Sequence, residues 1–326
     1  MSALLQVANL KKYFPAPRGW QFWRSAGELK AVDDVSFDIE EGTTFGLVGE
    51  SGSGKTTVSR LLLMLQTPTA GSVRFAGSDL NDFRRSPSEY RRVVQAVFQD
   101  PYSSLNPRMT VGDLLAEPMI VHRVADSASA ARRVDELLDL VGLSTRSRDL
   151  YPHQFSGGQR QRVAIARALS VGPKFIIFDE PVSALDVSIR AQILNLLAEI
   201  QQRLQLTYLM IAHDLAVVEH VSDTCGVMYL GRLVEICPSK ELSRNPLHPY
   251  TQALIAAVPV PDPDSPEPVI VVGETPSPLN PPSGCRFHTR CPRAVAQCQS
   301  LEPVLREVAP NHWAACHLVQ PTGLVS

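Results

Sequence analysis

Two sets of residues in this chain have the types and spacing to handle a nucleoside triphosphate. Gly49-Glu50-Ser51-Gly52-Ser53-Gly54-Lys55-Thr56 matches G-x-x-x-x-G-K-[ST]. Its glycines let backbone N–H groups curl around phosphate oxygens, and a following helix adds the positive end of its dipole. Lys55 then contacts the β- and γ-phosphates, and Thr56 ligates Mg²⁺ through its hydroxyl. Spacing and flanks set the segment apart from a merely flexible Gly/Ser loop. In the second set, the apolar run Phe175-Ile176-Ile177-Phe178 ends in Asp179-Glu180. Asp179 is suited to the Mg²⁺ shell, and Glu180 to polarising an attacking water as general base. His213 ends the next apolar run, where an imidazole reaches for the γ-phosphate. Gln99 ends the run 93–98, a place for sensing metal and water. Ser183-Ala184-Leu185-Asp186 follows Glu180 and is placed to line a subunit interface.

These groups need strands and helices to hold them. Val32, Val35, Phe37 and Ile39 recur in a strand-like stretch, and residues 43–48 form a short β-prone run leading into the glycines. A helix is predicted from Lys55 through Leu65, with Val58, Leu61, Leu62 and Leu65 on one face. Strands are predicted over 93–98, 174–178, 207–212, 225–229 and 233–236, and an amphipathic helix over 187–204. Residues from about 101 to 165 change character, with Val134, Leu137, Leu138 and Val141 at helical spacing. The simplest architecture is an α/β core with a helical insert. Both acidic residues then stand at a strand's carboxyl end, where open α/β sheets bind ligands.

Composition narrows the class. The chain has 326 residues, enough for a large domain plus an appendage. A net charge of −2 supplies no basic field for nucleic acid. No run approaches about 18 apolar residues, so no transmembrane helix is expected. The first residues lack a secretory pattern, so a cytoplasmic protein is expected, with membrane association through a partner. Past residue 258, Pro259, Pro261, Pro263, Pro266 and Pro268 mark a stiff arm, continued by Pro276, Pro278, Pro281 and Pro282. Of six cysteines, Cys225 and Cys237 read as core thiols, whereas Cys285, Cys291, Cys298 and Cys316 cluster beyond the arm. In a reducing compartment such a cluster points to metal before disulfides.

Between the two nucleotide motifs stands Phe155-Ser156-Gly157-Gly158-Gln159. Alone, Ser-Gly-Gly-Gln is an ordinary polar turn. The ordered set 49–56, Gln99, 155–159, 179–180, 183–186 and His213 resembles the nucleotide-binding subunits of ABC transporters over roughly residues 4–256. The resemblance implies an ABC ATPase with a P-loop core, an antiparallel β subdomain and a helical insert, spanning residues 1–258. Residues 259–326 form a small Cys-rich C-terminal extension. It also implies ATP contacts from Ser51, Gly52, Gly54, Lys55, Thr56, Thr57, Gln99 and Asp179, with Mg²⁺ held by Thr56, Gln99 and Asp179. Glu180 and His213 are then catalytic and Asp186 closes the D-loop. Phe14 best fits the aromatic that stacks on adenine, with Tyr13 next; residues 15–27 look like an inserted loop. In this family two subunits meet head to tail, so Ser156, Gly157, Gly158 and Gln159 act on the partner's ATP.

Three further patches, 100–107, 245–251 and 284–292, resemble the oligopeptide/dipeptide importer subfamily, and the N-terminal segments 10–15 and 29–33 look like its F-type ATPase. That resemblance implies a second, D-type ATPase, two transmembrane permeases and an extracytoplasmic binding protein as partners. The chain would then sit peripherally on the cytoplasmic face of the membrane. The cysteine spacing, C-x5-C-x6-C-x17-C, does not by itself select zinc. Four thiolates suit tetrahedral Zn²⁺ or a [4Fe–4S] cluster, and the tail's resemblance favours the cluster in a structural role. A rival class, a soluble ABC ATPase acting on nucleic acid or the ribosome, predicts two cassettes and a basic surface. One cassette and near-neutral charge speak against it.

Overall fold

The computed structural model describes residues 3–15, 27–100, 104–257 and 273–321. Residues 16–26 of the expected insertion 15–27, residues 101–103 of the patch after Gln99, and the prolines from 259 to 268 lie outside the described residues. In chain order the elements are β1 (Ala3–Pro15), β2 (Glu28–Glu40), β3 (Thr44–Val48), α1 (Lys55–Leu62), β4 (Ala70–Phe75), β5 (Ser78–Asp79), α2 (Pro87–Val93) and β6 (Val94–Phe98). There follow α3 (Val111–Val121), α4 (Ser127–Leu140), α5 (Gly157–Leu169), β7 (Phe175–Asp179), α6 (Val187–Leu204), β8 (Thr207–Ala212), α7 (Leu215–Val221), β9 (Thr224–Tyr229) and β10 (Arg232–Pro238). The last are α8 (Ser239–Arg244), α9 (Pro249–Ala256), α10 (Ala296–Ser300), β11 (Arg306–Ala309) and β12 (His312–Ala314).

The chain divides into two compact units, the first comprising residues 1–5, 39–44 and 74–211. Its centre is three parallel strands. β6 pairs with β7 from Val94↔Phe175 to Phe98↔Asp179, and β7 with β8 from Phe175↔Thr207 to Asp179↔Ile211. All five residues of β7 and all six of β8 are buried, the continuous apolar run expected of strands covered on both faces. Each large side chain so buried contributes about 1.5–3 kcal/mol. α6 buries Ile193, Leu194, Leu196, Leu197 and Ile200 and ends where Gln205 turns left-handed at φ 52°. Between β6 and β7 come α3 and α4, capped by Thr110 and Asp126, whose side chains accept the N–H groups of Asp113 and Ser129.

The second unit comprises residues 6–38, 45–73 and 212–326. The long strand β2 lies beside β1. β3 runs parallel to β9, which pairs antiparallel with β10. The sheet continues through β12 and β11, both antiparallel, so the cysteine-rich end of the chain contributes its last two strands. The helix after the glycine-rich loop closes at Leu62, short of the predicted Leu65. Met64 takes φ 56°, which ends the helical path. Leu65 is therefore 58% exposed, and does not share the core face of Val58, Leu61 and Leu62.

Candidate functional site

The glycine-rich loop joins buried β3 to α1 in the second unit. Gly49 has φ 151°, and a Cβ there would stand 2.1 Å from the Met228 carbonyl oxygen. Gly54, at φ 111°, would put a Cβ 2.2 Å from the Ala31 carbonyl oxygen. Both positions are closed to any side chain, so these glycines fix the loop's path against neighbouring backbone. Inside the curl lies Lys55, 4% exposed. Its Nζ donates to the carbonyl oxygens of Gly49 at 2.7 Å and Glu50 at 2.9 Å, and to Ser53 Oγ at 3.3 Å. Ser51, Gly52 and Thr56 face outward, Thr57 is half-buried, and the N-terminus of α1 opens at Gly54. A positive charge and the N–H groups of a helix start thus lie together in one tight loop, the arrangement a polyphosphate requires.

In the first unit the strand register brings three predicted residues together. Phe98 pairs with Asp179 and Asp179 with Ile211, so Gln99 and Glu180 leave adjacent strands at the same carboxyl edge. Asp179 is buried, Glu180 half-buried and Gln99 exposed. Glu180 is left-handed at φ 54°, and its N–H donates to the Ile211 carbonyl at 2.9 Å. A non-glycine residue held so is strained, and such strain gathers at functional sites. Ser183 Oγ donates back to the Glu180 carbonyl oxygen at 3.1 Å, tying the D-loop to the acidic corner. His213 directly follows β8 and is exposed. Phe14 and Tyr13 lie near the end of β1, both half-buried. The Tyr13 hydroxyl donates to Asp33, while Lys12 Nζ sits 5.0 Å from the centre of the Phe14 ring.

Ser156, Gly157, Gly158 and Gln159 form the N-terminus of α5, also in the first unit. Ser156 Oγ accepts the Gln159 N–H at 3.3 Å, and Gln159 Oε1 accepts the Ser156 N–H at 3.0 Å. This reciprocal capping box presents an exposed serine at a positive helix end. A Cβ on Gly158 would fall 2.5 Å from Ile189 Cγ2, so the glycine permits close packing of α5 on α6. Gly157 faces Leu185 of the D-loop, whose Asp186 is exposed beside Val187, itself 80% exposed.

Comparison with known proteins agrees with this geometry. Residues 32–183 match the model of the ABC transporter family, and residues 234–298 match the oligopeptide/dipeptide transporter C-terminal region. The putative oligopeptide transport ATP-binding protein YkfD of Bacillus subtilis is 51% identical over 320 residues, 97% of this chain and 95% of that protein. The oligopeptide transport ATP-binding protein AppF of the same organism is 49% identical, covering 97% of each chain. The chain belongs to the ATP-binding proteins of oligopeptide/dipeptide ABC transporters. Among solved structures, the ABC transporter component cbiO1 of Clostridium perfringens superposes with a TM-score of 0.65 at 26% identity, over 75% of this chain and 92% of that one. The ATP-binding cassette MJ0796, solved as a dimer bound to ADP and Pi, gives 0.63 at 28% identity, over 72% and 98%.

The oligopeptide/dipeptide C-terminal region is not a loose tail. Glu235 of β10 is fully buried, and its carboxylate accepts the N–H groups of Leu247 and His248, each at 2.8 Å, with His312 Nε2 of β12 at 2.7 Å. Burial alone would raise this carboxyl, yet those hydrogen bonds hold it below its usual range. His248 is buried and kept neutral, its imidazole lowered to about 4 chiefly by desolvation, and its Nδ1 accepts the Tyr250 N–H at 3.0 Å. Arg286, in the cysteine segment, donates to buried Asp33 of β2 and to the Leu230 carbonyl. Sequence reasoning missed the roles of Glu235, His248 and His312. Their signal was a polar residue inside an apolar strand: Glu235 interrupts Leu233-Val234 and Ile236-Cys237. His288 and His317 bond to the carbonyls of Cys285 and Leu301. Cys225 and Cys237 are buried, and desolvation raises both thiols.

Proposed function

We propose that this chain is the ATP-hydrolysing subunit of an importer for di- or oligopeptides, paired through ATP with a second, related ATPase. The carrying observation is that one chain holds a complete P-loop and, separately, an exposed capped helix end formed by Ser156–Gln159. The peptide class is supported by the names of relatives about half identical over nearly the whole chain. Lys55 binds the β- and γ-phosphates, and Ser51, Gly52, Gly54, Thr56 and Thr57 surround them. Mg²⁺ would be held by Thr56, Gln99 and Asp179 and would supply charge neutralisation on the phosphates. Glu180 accepts the proton of the attacking water, and His213 senses the γ-phosphate. Phe14 offers its ring to adenine, a role supported by the engagement of the Tyr13 hydroxyl with Asp33. Ser156, Gly158 and Gln159 serve the partner's nucleotide, with Asp186 at the interface.

Membrane attachment through permeases is supported by a groove of about 660 Å³ in the first unit, lined by Val97, Phe98, Leu105, Pro118 and Val121. It includes the end of β6, next in sequence to Gln99, and carries exposed apolar surface, Val121 being 70% and Phe98 40% exposed, which suits an apolar helix turn from a membrane subunit. None of the described helices is long and apolar enough to cross a membrane.

Cys285, Cys291, Cys298 and Cys316 would hold a [4Fe–4S] cluster, which would staple a module with little core of its own. Desolvation raises the thiols of Cys285 and Cys291, and the neighbouring cysteines of the cluster add to the rise in both. Among the described residues, the only trio of His, Cys, Asp or Glu whose ligand atoms all lie within 4.8 Å is Glu235, Cys237 and His312. The decisive experiment for the whole reading is co-purification. Two membrane subunits and a second ATPase, with ATPase activity stimulated by peptide and binding protein, are expected. A preparation that stays alone in solution, bound to RNA, would overturn it.

A further inference from the structure

In the phosphate-binding pattern the second position is free, yet Glu50 is gripped by three residues from elsewhere in its unit. Its N–H donates to the hydroxyl of buried Tyr250 at 2.9 Å. Its carboxylate takes a two-point bond from the Arg290 guanidinium, at 3.0 and 3.2 Å, and a third from Thr275 Oγ1 at 2.8 Å. Arg290 is almost wholly enclosed, 7% exposed, and lies 5.9 Å from the ring centres of both Tyr229 and Phe287. A planar, permanently charged fork against a carboxylate, backed by aromatic rings, is a directional clamp.

Within the loop, the Glu50 carbonyl accepts Lys55 Nζ at 2.9 Å and the Ser53 N–H at 3.1 Å. Both peptide planes of Glu50 are therefore held: the amide by Tyr250, the carbonyl by Lys55, with the side chain pinned by Arg290. The orientation of these planes decides where the following N–H groups and the Lys55 ammonium point. Arg290 immediately precedes Cys291, and Tyr250 lies in the first turn of α9, so both clamps belong to the part of the chain beyond β10.

We infer that Arg290 and Tyr250 are positioning residues for ATP: the C-terminal region forms the outer wall of the P-loop and sets its affinity for nucleotide. The inference rests on ATP binding at Lys55 and goes beyond it. Were the ion pair only an anchor for the cysteine module, its loss would lower melting temperature and leave the folded chain's ATP affinity unchanged.

The test titrates the full-length wild type, Arg290→Gln, Tyr250→Phe, Glu50→Gln and Arg290→Gln/Glu50→Gln with a fluorescent ATP analogue, alongside KM and kcat in the assembled transporter. Arg290→Gln should weaken binding about tenfold, equivalent to about 1.4 kcal/mol. Tyr250→Phe should weaken it severalfold, with KM rising more than kcat falls. The double variant should be no weaker than the poorer single, because both act through one contact. Affinities within twofold of wild type for folded Arg290→Gln and Tyr250→Phe, or fully additive losses, would overturn the inference. If Arg290→Gln does not fold, Tyr250→Phe and Glu50→Gln decide by the same criterion, since each removes or exchanges a single group. Failure of the wild type to bind the analogue would instead refute the ATPase reading itself.

Discussion

Glu180 combines a general-base assignment with a left-handed backbone, φ 54°, that a β7 exit must impose on it. Its amide is tied to Ile211, so the strain is held by the neighbouring strand and the carboxylate cannot relax away with a simple rotation of its peptide. Glu180→Gln preserves shape and backbone while removing the base. It should bind ATP with little change, lose at least about a hundredfold in turnover, and accumulate as an ATP-bound pair with its partner on size-exclusion chromatography. Unchanged turnover would refute the assignment. Gly49 belongs to the same scale. Gly49→Ala forces a Cβ to 2.1 Å from a carbonyl oxygen, and should cost about 2–4 kcal/mol in thermal unfolding together with ATP binding. The motif residues were legible because their chemistry dictates their spacing. The strain at Glu180 was not, because a φ angle leaves no mark on residue type when function forbids glycine there.

Among the elements, α5 shows how local rules and function share residues. Ser156 and Gln159 satisfy orphan N–H groups at the helix start, and the same helix end is the surface proposed to serve a partner's phosphate. Ser156→Ala should therefore lower stability by about 1 kcal/mol, and in the assembled pair it should slow hydrolysis at the partner's P-loop before its own. Single-turnover assays with one inactivated P-loop at a time separate the two. Helix Val187–Leu204 and strand Thr207–Ala212 were readable from apolar periodicity and continuous burial. The end of α1 was not, because Leu65 continues the apolar stripe in sequence while Met64 turns the chain left-handed. Nor were β11 and β12, four and three residues long: β12 pairs with β10, where its His312 meets the buried carboxylate of Glu235, distant in sequence, and β11 pairs with β12.

At the scale of the whole molecule, the C-terminal region is built into the unit that carries the P-loop, so events among its groups register in overall stability. His248 is the sharpest case. With its imidazole lowered to about 4 in the folded chain and near its ordinary value when unfolded, the unfolded state binds one more proton between those limits. Stability is thus full above about pH 6.5 and falls as pH drops toward 4, by about 1.4 kcal/mol per pH unit from this group. Glu235, lowered in the folded state, adds a loss in the same direction at more acidic pH. His248→Asn keeps an acceptor for the Tyr250 N–H and should remove one proton's worth of that slope in melting curves from pH 7 to 4. For the four thiols, wild-type protein purified without oxygen should be brown, and replacing Cys285 and Cys298 with serine should abolish the visible absorbance. A colourless wild type containing stoichiometric zinc would overturn the cluster.

The central claim is that this chain converts ATP binding and hydrolysis, as half of an ATPase pair, into peptide import. Its most direct test is uptake of a labelled short peptide into vesicles reconstituted with the permeases, both ATPases and the binding protein, with ATP on the side of the ATPases. Uptake should require ATP and drop to background when this chain carries Lys55→Ala. Equal uptake with the wild type and the Lys55→Ala chain would contradict it.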